Sequence, residues 1–269
     1  MARSRMESFL KKAGVIRNSD LAGEIRKAYG KQKGDQIVAD FMSIFDEDEA
    51  RLLNIPRMEH IAREEKLNTA INSSLRMMKL FAGYYDYNFF MMLEPYLVKT
   101  ERCLGQRILD AGCGSGLLTC FIASWKQKSE IIGHDINAGC LRSASIMAEQ
   151  LKLKNVRFVP DLDGQKSFDT VLSFRTFHEN LPVLLIEGNM SHEESVTMQR
   201  PYAAYLRSFL KKGGYLVSVE RYENKDHYKA MMEACGLEGL CLVEGSRTQI
   251  ESVQGEQQDI FQCAVFEAE

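Results

Sequence analysis

The run Ile108-Leu109-Asp110-Ala111-Gly112-Cys113-Gly114-Ser115-Gly116 joins an apolar strand, one carboxylate and three alternating glycines, and its reading decides the fold. Glycines at 112, 114 and 116 lack the Cβ that would hold a ligand off the backbone. The apolar segment Leu117-Leu118-Thr119-Cys120-Phe121-Ile122-Ala123 that follows reads as a helix whose N-terminus faces that ligand. The pattern is that of a nucleotide-cofactor loop. A dinucleotide fold spaces its glycines G-x-G-x-x-G, which would require a glycine at 117, where this chain has leucine. Asp110 stands at the mouth of the loop, where a carboxylate repels a pyrophosphate and suits a ligand bearing an ammonium and a sulfonium.

With these residues the chain resembles the class I S-adenosylmethionine-dependent methyltransferases, whose first motif is similar to Asp110-Ala111-Gly112-Cys113-Gly114-Ser115-Gly116. The resemblance covers roughly the last two thirds of the chain. It implies a Rossmann-like α/β fold with a seven-stranded, mostly parallel sheet whose last strand is antiparallel. It also implies S-adenosyl-L-methionine as cofactor, held by Asp110, Ala111, Gly112, Cys113, Gly114 and Gly116. Glu130-Ile131-Ile132-Gly133-His134-Asp135-Ile136-Asn137 is similar to the second strand, with Asp135 on the ribose and Ile136 beside it. A carboxylate suits that place because it accepts from two vicinal hydroxyls at once.

The stretch Asn155 to Asp163 resembles the third strand and the loop that meets the adenine, with Asp161 preferred over Asp163 and Leu162 packing on the ring. Ser167 to Phe174 reads as the fourth strand, Ser173 lying on the cofactor side. Its outlet, Arg175-Thr176-Phe177-His178-Glu179-Asn180, falls where the transferred methyl would lie. Leu206 to Val219 matches a helix, a Gly213-Gly214 turn that stops it, and the fifth strand. Leu240 to Glu244 and Ile260 to Phe266 are strand-like runs that can pair as neighbours across a polar connection.

Residues 1–95 scan as a helical N-terminal cap or dimerisation region, and 96–269 as the S-adenosylmethionine-binding domain. Phe41 to Phe45 and Ala50 to Ile55 follow a helical period, Pro56 interrupts it, and Ser19, Asp20, Asp46 and Asp48 are candidate caps. No Gly/Ser linker separates the two regions, so the helices are expected to dock as a lid or to join a homodimer. The run Phe81-Ala82-Gly83-Tyr84-Tyr85-Asp86-Tyr87-Asn88-Phe89-Phe90-Met91-Met92 reads first as packing. The resemblance adds a second role, an aromatic placed against the cofactor from before the first strand, for which Tyr85 and Tyr87 are the candidates.

Composition bounds the rest. A chain of 269 residues, 45% hydrophobic and 26% charged, suits one ordinary core with helical decoration. Its net charge of -3 gives no global reason to expect nucleic acid. The first residues run into charges without an apolar stretch and no segment has the length of a membrane span, so a cytoplasmic enzyme is expected. The seven cysteines form no C-x-x-C pair and read as reduced, packed thiols. No histidine cluster has metal spacing. Of the five histidines, His178 lies beyond the fourth strand and is the candidate general base; His60, His134, His192 and His227 read as structural.

DNA and protein amide methylases of this superfamily carry an Asn/Asp-Pro-Pro-aromatic motif after the fourth strand, and cytosine-C5 enzymes a Pro-Cys. Here the residues are Ser173-Phe174-Arg175-Thr176. A small-molecule acceptor is the default, with Val183 to Glu194 and the N-terminal helices capping its pocket. Two other classes remain as alternatives, a catalytically silent methyltransferase-like scaffold subunit and an NAD(P)-dependent oxidoreductase.

Overall fold

The computed structural model describes residues 4–45, 69–177, 190–221, 225–254 and 257–269. The readings placed on Asp46, Asp48, Ala50 to Ile55, Pro56, His60, His178 and residues 183–189 lie outside the described residues.

Five parallel strands form the centre of the sheet: β1 (Arg107–Ala111), β2 (Glu130–His134), β3 (Val156–Val159), β4 (Phe168–Phe174) and β5 (Leu210–Arg221). Three more close one side: β6 (Leu240–Leu242), β7 (Thr248–Gln254) and β8 (Gln257–Ala268). The strand order is β3-β2-β1-β4-β5-β8-β6, with β8 antiparallel to β5, and β6 and β7 both paired to the outer edge of β8. The parallel core and the antiparallel end are as the sequence implies. The sheet has eight strands rather than seven because the polar connection after β6 folds as β7, in which Ile250 is buried and Val253, three residues on, is exposed on the opposite face, so no apolar alternation marks it.

Consecutive apolar residues on each strand divide between two faces, as a period of two demands. Ile108, Ile131, Leu172, Val217 and Val265 enter one core cluster, while Leu109, Ile132, Val171, Leu216 and Ala264 enter the other. Both faces are therefore covered, the condition for a parallel sheet. The second cluster is closed by α8 (His192–Phe209) and α9 (Lys225–Leu237) through Leu206, Ala203, Met231 and Ala234. The first is closed by α6 (Leu117–Trp125) and α7 (Ala138–Gln150) through Phe121, Ile122 and Met147.

The N-terminal helices are α1 (Arg5–Ala13), α2 (Leu21–Tyr29), α3 (Lys31–Phe45), α4 (Leu75–Phe81) and α5 (Tyr87–Lys99), with a π-helical turn at Ala82–Asp86 between the last two. That first cluster takes in α1, α4 and α5 through Phe9, Leu10, Met78, Phe89 and Leu93, while Leu21 and Ile25 of α2 form a smaller cluster with Met77 and Phe81 of α4. Asp20 caps α2 by accepting from Gly23 N at 2.8 Å. Phe9 of α1 meets Phe121 of α6 edge-on at 5.5 Å, and Arg5 lies over Trp125. Phe89 of α5 meets Phe261 of β8 at 4.3 Å. The core runs across residue 95 without a break.

Two local features depart from the sequence reading. Gly213-Gly214 does not stop the helix, because α8 ends at Phe209 with Leu210 already extended. The pair instead forms a bulge in β5, between Leu210 opposite Phe168 and Tyr215 opposite Thr170. Asp169, within the Phe-Asp entry to β4, is structural. Its Oδ2 accepts from Gln106 N at 2.9 Å and Arg107 N at 2.7 Å, which fixes the start of β1 beside β4. Burial pushes this carboxyl up, but Lys211 and the two amides outweigh it and hold it below the usual carboxylate range.

Because α1 and α5 fill the same core as α6, deleting residues 1–90 should leave Phe121, Ile122 and Phe261 exposed and give an insoluble or molten fragment. Soluble expression with a cooperative thermal transition would show instead that the sheet and its four later helices fold alone.

Candidate functional site

The turn after β1 is built on left-handed backbone. Gly112, Gly114 and Gly116 have φ of +77°, +51° and +75°. Each is glycine for a different reason. A Cβ on Gly116 would lie 2.5 Å from Ala144 Cβ and 2.9 Å from Phe158, so this residue lets α6 start close against α7 and β3. A Cβ on Gly112 would lie 2.5 Å from Thr176 Cγ2, in the turn after β4. At Gly114 no described residue lies within 4 Å of an added Cβ, so among the described residues the backbone there borders open space. A side chain would fill that space, which makes it the cradle of the site.

The end of β2 holds the turn. Gly112 N and Cys113 N donate to His134 O at 2.9 and 2.8 Å, and Gly114 N donates to Asp135 Oδ2 at 2.8 Å. Asp135 Oδ1 accepts from Asn137 N at 2.8 Å. Each carboxylate oxygen has a second lone-pair direction, so Asp135 can still receive two hydroxyl donors. Ile136 follows it with its side chain 89% exposed, an apolar surface beside the carboxylate. Asn137 caps α7, accepting from Gly139 N and Cys140 N, and so sets the direction in which the chain leaves.

Asp110 is 3% exposed and accepts from Thr119 Oγ1 at 2.5 Å. Burial pushes its carboxyl up to about 6, the Thr119 hydrogen bond opposes this, and the charge of Asp135 adds to it. An ammonium at this mouth would supply the missing counter-charge. α6 begins at Gly116 without a side-chain cap, so its first N–H groups have no capping side chain. Ala111 is buried under the turn. Burial pushes the Cys113 and Cys120 thiols up, Cys120 to about 12, so both are neutral packing groups.

On the far side of β2, Asp161 makes a local turn by accepting from Asp163 N at 2.8 Å, and Leu162 is buried in the second core cluster. Burial lowers the His134 ring below the usual histidine value, against the opposing influence of Asp135, the Pro160 backbone and Asp161. His192 pairs with Glu233 at 2.7 Å, on the surface.

The outlet of β4 carries residues that sequence reasoning missed. Ser173 Oγ donates to Glu220 Oε1 at 2.7 Å and lies 2.6 Å from Thr176 Oγ1; Phe177 N donates to Glu220 Oε2 at 3.1 Å. Glu220, near the end of β5, is wholly buried. Arg175 takes φ +62°, unusual for a side chain with a Cβ, and bonds Asp86 Oδ1 at 2.7 Å with its guanidinium over the Phe89 and Phe261 rings. Asp86 lies in the π-helical turn, so this pair joins the N-terminal layer to the sheet edge. A second junction lies just past the end of β2, where Asn137 Nδ2 donates to Thr69 Oγ1 and Ser73 Oγ approaches Asn137 Oδ1. Tyr85 stacks on Phe81 and meets Tyr84 edge-on at 4.7 Å, while Tyr87 packs against the first core cluster. Burial pushes the Tyr85 hydroxyl up to about 12. The only signal for Glu220 in the sequence was a carboxylate after an apolar strand, the same signal that marked Asp135. Among the described residues, no group of three or more His, Cys, Asp or Glu side chains is arranged to hold a metal ion, and no helix is long and apolar enough to cross a membrane.

A glycine turn gripped by the next strand, with carboxylates at the ends of β1 and β2, defines a methyltransferase domain of Rossmann-like type. Residues 104–262 match the family described as methyltransferase domain, and the chain belongs to the class I S-adenosylmethionine-dependent methyltransferases. Ribosomal RNA small subunit methyltransferase C from Erwinia tasmaniensis is 33% identical over 98 residues, and that from Vibrio vulnificus is 27% identical over 139. The matches cover 32% and 51% of this chain but only 28% and 38% of those relatives. A solved structure of an N-methyltransferase from Bradyrhizobium japonicum, in complex with S-adenosyl-L-homocysteine, is 14% identical with a TM-score of 0.46, over 66% of this chain and 84% of that one.

The elevated Asp110 carboxyl makes stability depend on pH. Its folded value near 6 exceeds the unfolded value of about 3.9, so its contribution is fully present below about pH 4 and is lost as pH rises through 6. Asp110→Asn, with its amide donating to the Thr119 oxygen, should therefore melt above the wild type at pH 7.5 and level with it near pH 4.5. A difference in melting temperature that stays constant across this range would show that Asp110 is not buried as a charge.

Proposed function

We propose that this chain transfers the methyl group of S-adenosylmethionine to a small-molecule acceptor. The observation that carries the reading is the arrangement around Gly114: open space at its Cβ position, its N–H on Asp135, and the buried Asp110 carboxylate at the start of the same turn. In this reading Asp135 takes the ribose hydroxyls, and Gly112, Cys113, Gly114 and Gly116 present backbone to the ligand. Asp110 faces the ammonium, and the first turn of α6 faces the carboxylate. Ile136, Asp161 and Leu162 border the adenine, Ser173 underlies the methyl end, and Tyr85 and Tyr87 stand on the N-terminal side.

When bound, S-adenosylmethionine supplies a methyl group already activated by the sulfonium. What remains for the chain is to orient the acceptor in line, exclude water and take up a proton where the acceptor carries one. His178, next in sequence after the Glu220-anchored turn, is our candidate for that base. The small-molecule acceptor is supported by the Ser173-Phe174-Arg175-Thr176 outlet. The ribosomal RNA methyltransferases among the relatives name the competing acceptor, an RNA base.

Calorimetry with S-adenosyl-L-homocysteine tests the cofactor assignment. Asp135→Ala should lose roughly ten- to a hundredfold in affinity, as expected for removing a charged acceptor of two hydrogen bonds. Gly114→Val should abolish binding, at some cost in stability because a branched side chain is strained at φ +51°. Unchanged affinity in both variants would refute the site. His178→Ala should leave homocysteine-form affinity nearly intact and lower turnover by about a hundredfold, with loss of the acid limb of the rate profile. Near-normal turnover would leave positioning and water exclusion as the whole mechanism.

A further inference from the structure

The turn after β4 is held from below by one buried carboxylate. Glu220 Oε1 accepts from Ser173 Oγ at 2.7 Å and Oε2 accepts from Phe177 N at 3.1 Å, so the two oxygens straddle Arg175 and Thr176. Ser173, Thr176, Phe177 and Glu220 are all buried. Thr176 is fixed by its hydroxyl, 2.6 Å from Ser173 Oγ, which leaves its methyl directed at Gly112. That contact is so close that a Cβ on Gly112 would lie 2.5 Å from Thr176 Cγ2. A chain of contacts therefore runs from the end of β5 through the β4 outlet to the glycine turn beside Asp110. Arg175 adds the cost of a left-handed φ of +62°, a conformation kept only where neighbouring bonds impose it.

We propose that Glu220 is a positioning residue for the amino-acid end of the bound cofactor, acting through Thr176 on the Gly112 backbone. The inference rests on the cofactor reading above and adds to it a residue that touches no ligand. Loss of Glu220 frees Ser173 and Phe177 N, lets the turn drift, and unfastens Thr176 from Gly112. The adenosine end is held by Asp135, whose own bond to the turn is at Gly114 N, two residues beyond the Thr176 contact at Gly112. The effect is thus specific to one half of the ligand.

Two probes separate the halves: S-adenosyl-L-homocysteine, which has the amino acid, and 5′-methylthioadenosine, which lacks it. Glu220→Ala should weaken the first by about tenfold or more and the second by less than about twofold. Glu220→Gln should restore most of the loss, since its carbonyl can accept from Phe177 N while its amide donates to Ser173 Oγ. Thr176→Ser keeps the hydroxyl and removes only the methyl against Gly112, so it gives a well-folded test should Glu220→Ala prove insoluble. It should weaken the homocysteine ligand selectively, by roughly threefold. Equal losses for both probes, or none in Thr176→Ser and Glu220→Ala, would overturn the proposal. A wild-type chain that binds neither probe would instead overturn the cofactor reading on which it rests.

Discussion

The structure depends on a turn in which three residues have no Cβ. β1 ends in the centre of the sheet, and the chain must reverse within a few residues to start α6 against the same sheet. Left-handed backbone at 112, 114 and 116 makes the reversal tight, and four separate elements close on it. Thr176 comes from the β4 outlet, Ala144 and Phe158 from α7 and β3, and the Asp135 carboxylate from the end of β2. Space is left only at Gly114. Packing and opening thus fall on different glycines of one turn, Gly112 and Gly116 serving the first and Gly114 the second.

The N-terminal helices are part of this arrangement rather than an addition to it. The apolar faces of α1 and α5 complete the core over α6, and the two polar junctions, Asp86 with Arg175 and Thr69 or Ser73 with Asn137, fall just past the ends of β4 and β2. Burial against a shared core supplies most of the attachment, at roughly 25 cal/mol for each Å² of apolar surface removed from water. The partly exposed ion pair adds little to stability after screening. Its contribution is direction, since Arg175 between two aromatic rings and a carboxylate has few other orientations. The π-helical turn at Ala82–Asp86 places Asp86 where a regular helix would have rotated it away.

Much of this was legible in the sequence because glycine and end-of-strand carboxylates are local signals. The turn Gly112 to Gly116, the helix after it, the strands and the Asp135 position each follow from a handful of neighbouring residues. The antiparallel end was legible for the same reason, as two apolar runs near the terminus. What could not be read depends on distant partners. Gly213-Gly214 has the form of a helix stop, yet the pairing of β5 with β4 decides that it is a bulge. β7 exists because β8 offers an edge, and its own polar alternation is too weak to announce it. Glu220 resembles any acid after a strand until Ser173 and Phe177 are seen around it. Arg175 gave no sign at all, since its backbone conformation is imposed by partners 89 residues away and on the adjacent strand.

The placement of the charges carries one further step. Asp110 sits without a cation in a dry position, so the ligand-free protein holds a carboxylate whose ionised form is disfavoured. A ligand ammonium removes that penalty, and the gain is larger than the same contact would give in water, because the desolvation has already been met in folding. Yet an α-ammonium is common to S-adenosylmethionine and its demethylated product, so in the proposed site Asp110 would hold both alike. Uniform holding of this kind tightens binding without lowering the barrier to transfer. Any preference for the sulfonium state must therefore arise beyond the glycine turn, at the β4 outlet where Ser173, Thr176 and Arg175 are fixed by Glu220 and Asp86. On the proposed reading the fold separates two tasks along one sheet edge: β1 and β2 retain the cofactor, while β4, β5 and the N-terminal layer shape the side on which the methyl group leaves.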